Sequence, residues 1–239
     1  MRFSTASLLC VITLLGGSTA DSQLWREIKS NINMTGYVTL SANWIDIELL
    51  NDRIGGHGYP VFKEFSPAWG GGSRMIFRKK FIVGFDYFNL INKRESLGSY
   101  DSSLSGSMRL LCLGICVVNR PDLQIYPLVS IGTQKLTLKL TQNPSLSFDD
   151  IMENPDRGVE IDRRDILIDL GLQFDKFRYE NETRVFLWGM KAGYRFIPGG
   201  FGWQYNRSSL EDGPDAGIEG PYVQLNAGMR NLIRAILRK

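Results

Sequence analysis

Eight segments of this chain alternate in character residue by residue, and the connections between them alternate in length. Successive strand residues point to opposite faces, so a period of two sorts side chains between two environments. In 184–198, RVFLWGMKAGYRFIP, one face carries Phe186, Trp188, Met190, Ala192, Tyr194 and Phe196. The other carries Val185, Leu187, Gly189, Lys191, Gly193 and Arg195. Similar patterns occupy about 34–43, 69–77, 80–90, 105–118, 122–139, 163–175 and 220–229. The cleanest is 163–175, where Ile166, Ile168, Leu170, Leu172 and Phe174 oppose Asp165, Asp169, Gly171 and Gln173. In 220–229, Val223 and Leu225 oppose Tyr222 and Gln224, and in 80–90, Val83 and Phe85 oppose Asp86. The contrast is poor in 105–118, and Pro127 counts against 122–139, since proline donates no ladder hydrogen bond.

The connections RKK, NRPD and DKFRYENETR are short and polar. Those at 44–68, 91–104, 140–162 and 198–219 are long. In an up-and-down sheet, alternate connections lie at one end. Strict alternation therefore puts all short turns at one rim and all long loops at the other, with both termini at the short-turn rim. That is the layout of an outer-membrane barrel with periplasmic turns and external loops. The fold expected is all-β: an eight-stranded antiparallel up-and-down transmembrane β-barrel. A short helix is expected in the first long loop, where Ile45, Leu49, Leu50 and Ile54 have helical spacing before Gly55-Gly56. A second short turn is expected at 146–155.

The chain of 239 residues suffices for one such barrel. Residues 1–20 read as a cleaved secretory leader: Arg2, an apolar run from Ala6 to Leu15, then Ser18-Thr19-Ala20. The barrel then covers 21–229, and 230–239 form a basic amphipathic tail. Cys112 and Cys116, four apart on one strand, stand roughly 13 Å from each other and are expected to stay unpaired. The net charge of +3 is too weak to imply a nucleic-acid partner.

Parity alone does not say which face is inside. A soluble lipocalin-like binder would turn its apolar face inward. The polar parity here holds small residues and opposite charges, which suits a narrow interior. Phe81, Phe174, Phe186, Tyr194 and Phe196 lie near the ends of the apolar faces, as an aromatic girdle would. We therefore expect lipid to meet Val83, Phe85, Ile168, Leu170, Leu172, Trp188, Met190, Val223 and Leu225. A polar interior network is expected from Asp86, Asp165, Asp169, Gln173, Lys191, Arg195, Tyr222 and Gln224. Lys191 and Arg195 are then enclosed and paired with Asp86, Asp165 or Asp169, whereas a charge on the lipid face near mid-bilayer costs about 2–4 kcal/mol.

The stretches AGYRFIPGGFGWQYN and GPDAGIEGPYVQLNAGM resemble small bacterial outer-membrane β-barrel proteins through Gly193, Tyr194, Arg195, Phe196, Trp203 and Gly220. LSFDDIM is also similar. The resemblance implies an eight-stranded barrel inserted by the barrel-assembly machinery, and it brings no catalytic residues. Such proteins commonly end their last strand on an aromatic residue; here Met229 closes it and the basic tail follows.

No cofactor or metal site is expected. His57 is the single histidine, in GGHGYP, and reads as a turn residue; a lipid-modifying enzyme would use it with a serine near the outer rim. Asp149 and Asp150 read as a helix-start cap rather than a cation site, and Gly70–Gly72 lack a phosphate-loop context. The sequons at Asn33, Asn181 and Asn206 read as accidental. The function expected is a structural or surface-interaction role with a polar filled interior and an unidentified external ligand. The alternatives are a narrow channel for small solutes, a lipid-modifying enzyme and the soluble binder.

Overall fold

The computed structural model describes residues 32–142, 158–179, 185–206 and 208–230. The leader 1–20, the turn at 146–155 with Asp149 and Asp150, Asn181 and the tail beyond Arg230 lie outside the described residues. The strands are β1 (Ile32–Trp44), β2 (Phe65–Phe77), β3 (Phe81–Leu90), β4 (Lys93–Leu97), β5 (Tyr100–Ile115), β6 (Val118–Asn119), β7 (Leu123–Gln142), β8 (Gly158–Tyr179), β9 (Val185–Tyr205), β10 (Ser208–Ser209) and β11 (Gly220–Arg230). Among the described residues one helix, α1 (Glu48–Gly55), is present, between β1 and β2.

Eight strands close a ring in the order β1-β2-β3-β5-β7-β8-β9-β11, each antiparallel to its neighbours, and β11 returns to β1. Closure gives each of the eight ring strands a partner on both sides, leaving only the short β4, β6 and β10 paired on one side. Both ends of the ring meet at the short-turn rim, where Thr35 faces Arg230. The expected fold class is what the chain adopts. The first short turn spans the three residues Arg78, Lys79 and Lys80 between the paired Phe77 and Phe81; Arg78 and Lys79 both have positive φ, at 49° and 58°, which matches the right-handed twist of the flanking strands.

Three expectations are corrected. The connection at 91–104 is mostly a hairpin rather than a loop: β4 pairs with the start of β5 through a turn at Gly98, φ 60°. The strands also run further toward the long-loop rim than 163–175 and 184–198 suggest. β8 has 22 residues and β9 has 21. They rise past the level at which the 10-residue β3 ends, so one side of the barrel is a tall wall. Two register shifts on β8–β9 let this wall continue through Pro198, Gly199 and Gly200.

The third correction concerns the interior, which is only half polar. Inward positions of β8, β9, β11 and β1 carry most of the polar set, joined by Arg74 of β2, Asp86 of β3 and Gln124, Ser130 and Gln134 of β7. Those of β3, β5 and β7 carry Ile82, Phe88, Leu90, Leu104, Met108, Leu110, Cys112, Leu128, Leu136 and Leu138. That explains the poor contrast in 105–118: inward Met108, Leu110 and Cys112 and outward Leu111, Leu113 and Ile115 are all apolar. Cys112 and Cys116 are both free thiols, as expected.

The helix joins this apolar half. Leu50 and Ile54 are buried with Ile45, Ile47 and Phe62 against Leu104, Leu136, Leu138 and Trp203. Leu49, grouped with them by spacing, is instead 56% exposed. Asn51 clasps the loop backbone, donating to the Phe62 carbonyl at 2.8 Å and accepting from its N–H at 2.9 Å. Gly56 ends the helix, its N–H reaching the Asp52 carbonyl at 3.0 Å.

Candidate functional site

The outer face of the ring carries Val83, Phe85, Ile168, Leu170, Leu172, Trp188, Met190, Val223 and Leu225, all on the outward parity of their strands. Leu40, Trp69, Leu113 and Ile131 extend the same apolar belt. Aromatic pairs mark its two margins. Trp44 meets Phe65 edge-on at 5.6 Å and Tyr194 stacks with Phe196 at 6.1 Å toward the long-loop side, while Phe174 and Trp188 lie 6.4 Å apart toward the other.

All eight residues expected in the interior network are buried on the inward face. They do not form one network. They fall into separate stations, because staggered register sets them at different heights. In the central station Asp169 accepts from Lys191 Nζ at 2.7 Å and from Arg195 Nε at 3.3 Å. Arg195 also donates to Asn43 Oδ1 at 2.6 Å and stacks on the Tyr222 ring, 3.9 Å from its centroid. Space for this group comes from Gly171 and Gly193, which face each other across β8 and β9. A Cβ on either would stand 2.7 or 2.6 Å from the Tyr222 hydroxyl. Gln224 is buried beside this station, but neither amide atom has a partner among the described residues.

The station toward the short-turn rim is built on Arg74, which sequence reasoning missed. Its guanidinium lies 3.7 Å from Asp86 and 3.9 Å from Asp175, and 4.4 Å from the Tyr37 ring centroid. Tyr37 donates to Asp86 and Tyr126 to Asp175. Gln173 donates to Asp175 at 2.5 Å and accepts from Asn226 at 3.2 Å. Arg74 shares parity with Gly70 and Gly72, and Asp175 with Gln173, so carrying the alternation across both segments finds them. Below them Arg230 covers the Phe177 ring at 3.5 Å and bonds Gln124 at 2.5 Å. Phe177, Val185, Leu187 and Tyr37 form a second apolar cluster there.

At the long-loop rim, Asp165 accepts from Arg163 at 3.1 Å and from Gln134 at 2.8 Å. Arg163 reaches on to the Pro214 carbonyl at 3.0 Å and to Asp215 at 3.1 Å, and Trp203 Nε1 donates to the same carbonyl at 2.6 Å. Gln134 Oε1 receives the Ile218 N–H at 2.9 Å. These bonds fix the last long loop over the mouth, and Asp46 bridges it to the helix loop through Gly217. Among the described residues, four of the five buried cations, Arg74, Arg163, Lys191 and Arg195, pair with the four buried carboxylates Asp86, Asp165, Asp169 and Asp175, while Arg230 bonds Gln124.

Outside the lumen, a groove of about 320 Å³ at the rim is lined by Asp46, Glu48, Glu64 and Glu219 with Trp44 and Tyr194. Burial, and then the neighbouring Asp46 carboxylate, hold Glu219 above the usual glutamate range. His57 is exposed, and its Nδ1 lies 2.9 Å from the Arg53 carbonyl one turn back in α1. Among the described residues no group of acidic, histidine or cysteine side chains has the arrangement of a metal site.

No protein-family model and no curated protein matches this chain. Solved structures do. Ail, the attachment invasion locus protein of Yersinia pestis, is 14% identical, with TM-score 0.45, covering 84% of this chain and 98% of that one. The outer membrane protein OprG from Pseudomonas aeruginosa is 14% identical, with TM-score 0.35 and coverage of 84% and 95%. Neisserial surface protein A is 9% identical, with TM-score 0.36 and coverage of 83% and 95%.

Proposed function

We propose that this chain is a bacterial outer-membrane β-barrel with a sealed lumen, acting through the platform that its tall wall and long loops present outside. The observation that carries this reading is the inversion of burial. Val38 and Leu40 on the outer face are each 67% exposed, while Asp86, Asp165, Asp169, Gln173 and Lys191 inside are 0% exposed. In water such a surface is unstable against association. In hydrocarbon it is the favourable arrangement, since a closed barrel satisfies every backbone group internally. The soluble binder would need the opposite orientation of its apolar face.

The channel alternative is disfavoured by what fills the lumen. Ion-paired stations occupy its middle, α1 and the last loop cover one end, and Phe177 under Arg230 covers the other. His57 fits a helix-end turn held by its own backbone contact rather than a catalytic base. The barrel-assembly machinery remains the expected partner in biogenesis.

The test combines cell fractionation, a heat-shift gel and planar-bilayer conductance. The reading expects recovery in the outer-membrane fraction, a folded band that migrates differently from the boiled one, and no steady conductance from the wild type. Recovery in the soluble periplasm overturns the membrane assignment. Discrete conductance that changes in Lys191→Ala overturns the sealed lumen.

A further inference from the structure

The outer face changes chemistry abruptly along three neighbouring strands. Outward residues of β8 run Leu172, Leu170, Ile168 and Ile166, then Arg164 and Asp162. On β7 they run Val129, Ile131 and Thr133, then Lys135, and on β5 Leu113 and Leu111, then Arg109. The register aligns these changes. Ile166 faces Thr133, which faces Arg109, and in the next row Arg164 faces Lys135. A basic cluster therefore sits at the upper edge of the apolar belt, on the long-loop side.

Three features make this more than a solvated edge. First, Arg164 and Lys135 are directly opposite on one face, a like-charge pairing that destabilises a sheet. Among the described residues, Asp162 answers Lys135 at 2.9 Å, while Asp165 is already held by Arg163 and Gln134. Three cations thus share one countercharge. Second, the cluster surrounds a groove of about 470 Å³ that Arg109, Lys135, Arg164 and Phe201 line together. Third, a bulge builds the groove. Arg163 pairs with Trp203 and Asp165 with Gly200, so Arg164 alone opposes both Phe201 and Gly202. Gly202 takes φ 72°, and Phe201, 64% exposed, lines the same groove as the basic groups.

We propose that this groove holds the phosphate headgroup of one outer-leaflet lipid, a phosphorylated glycolipid, whose acyl chains lie on Ile166, Ile131 and Leu111 below. The inference rests on the outer-membrane reading and adds a ligand to it. Guanidinium and ammonium groups converge where an anion would relieve their mutual repulsion. The apolar surface directly beneath suits an amphiphile and gives nothing to a free anion. Phe201 supplies the aromatic contact expected at headgroup depth.

The test uses the refolded chain in phosphatidylcholine nanodiscs, with retained lipid counted by native mass spectrometry. Diphosphorylated lipid A, the same lipid with its phosphates removed, and inorganic phosphate are titrated separately. The expected result is retention of one phosphorylated lipid, with the other two ligands much weaker. Arg164→Gln should weaken retention about fivefold and Arg109→Gln with Arg164→Gln about thirtyfold, with nanodisc incorporation unchanged. Arg120→Gln, at the opposite rim, should change nothing. Should the double variant fail to fold, protection of wild-type Lys135 from amine acylation by the phosphorylated lipid carries the test. Equal retention of the dephosphorylated lipid, equal binding of inorganic phosphate, unchanged binding in Arg164→Gln, or no protection of Lys135 overturns the lipid site while leaving the barrel reading intact. A wild-type chain that does not enter nanodiscs overturns the barrel reading itself.

Discussion

Asp169 serves two cations, and that asymmetry governs what the interior tolerates. Replacing it with alanine leaves Lys191 and Arg195 buried without a countercharge, whereas Lys191→Ala still leaves Asp169 paired with Arg195. Breaking a buried pair from one side costs about 3–5 kcal/mol. Asp169→Ala should therefore lower urea stability in detergent micelles by that amount, and Lys191→Ala by clearly less; the reverse order would show that Asp169 is not the shared partner. At the rim, the folded loop favours protonated Glu219, whose acidity is held above the ordinary range. The unfolded segment then loses its proton first as pH rises, so loop stability falls from the ordinary glutamate range up through the raised value. Amide exchange at Asp46 and Gly217, which bond across this loop, should quicken over that window beyond the intrinsic pH effect. Glu219→Gln should remove the change. The enclosed character of Lys191 and Arg195 was legible in the sequence, since parity alone sets them on the side with Gly189 and Gly193. Their partner was not, because it depends on the relative register of β8 and β9, which no local pattern encodes. The partners of Arg74 were hidden for a related reason: they come from β1, β3, β7 and β8 at once.

At the level of elements, alternation marks a strand clearly only while its two faces meet different media. Along β8 that contrast ends above Ile166, where outward Arg164 and Asp162 meet water or headgroups, yet the ladder continues to Gly158. The loop-side ends of β2, β5, β7, β8 and β9 were therefore read short; at the tight turns most ends were read closely, but β8 runs on past 175 to Tyr179 and β5 stops at Ile115 before 118. Pro127 was less damaging than it looked, because it sits just beyond Gly114–Leu128, the last β5–β7 pair. Glycine carries the packing of β8 against β9. Gly171→Val would press on Lys191 Cε, 2.6 Å from the new Cβ, and on the Tyr222 hydroxyl. It should abolish the folded, heat-shifted band. Gly36→Val on β1, with nothing within 4 Å of its Cβ position, should keep that band. Equal loss in both would mean that backbone freedom, rather than interior space, is what these glycines supply.

The whole molecule joins two half-walls with different tasks. One is mostly apolar inside and packs a core with α1; the other is mostly polar inside and holds the ion pairs, with Asp86 of β3 as the acidic partner contributed from the apolar side. The apolar half escaped the sequence reading because β5 is greasy on both faces, which gives no alternation to detect. Outside, an acidic groove near Glu219 and a basic one near Arg164 flank the tall wall, so the platform is electrically two-sided. All of this requires that the outer belt sit in hydrocarbon. Nitroxide labels at Leu40, Leu170 and Leu225 of the chain in liposomes test that requirement most directly, through collision rates with oxygen and with a water-soluble nickel chelate. The account predicts high oxygen and low nickel accessibility at all three sites, with the ratio reversed at Lys139 on the wall above. Nickel accessibility at the three belt positions equal to that at Lys139 would contradict it.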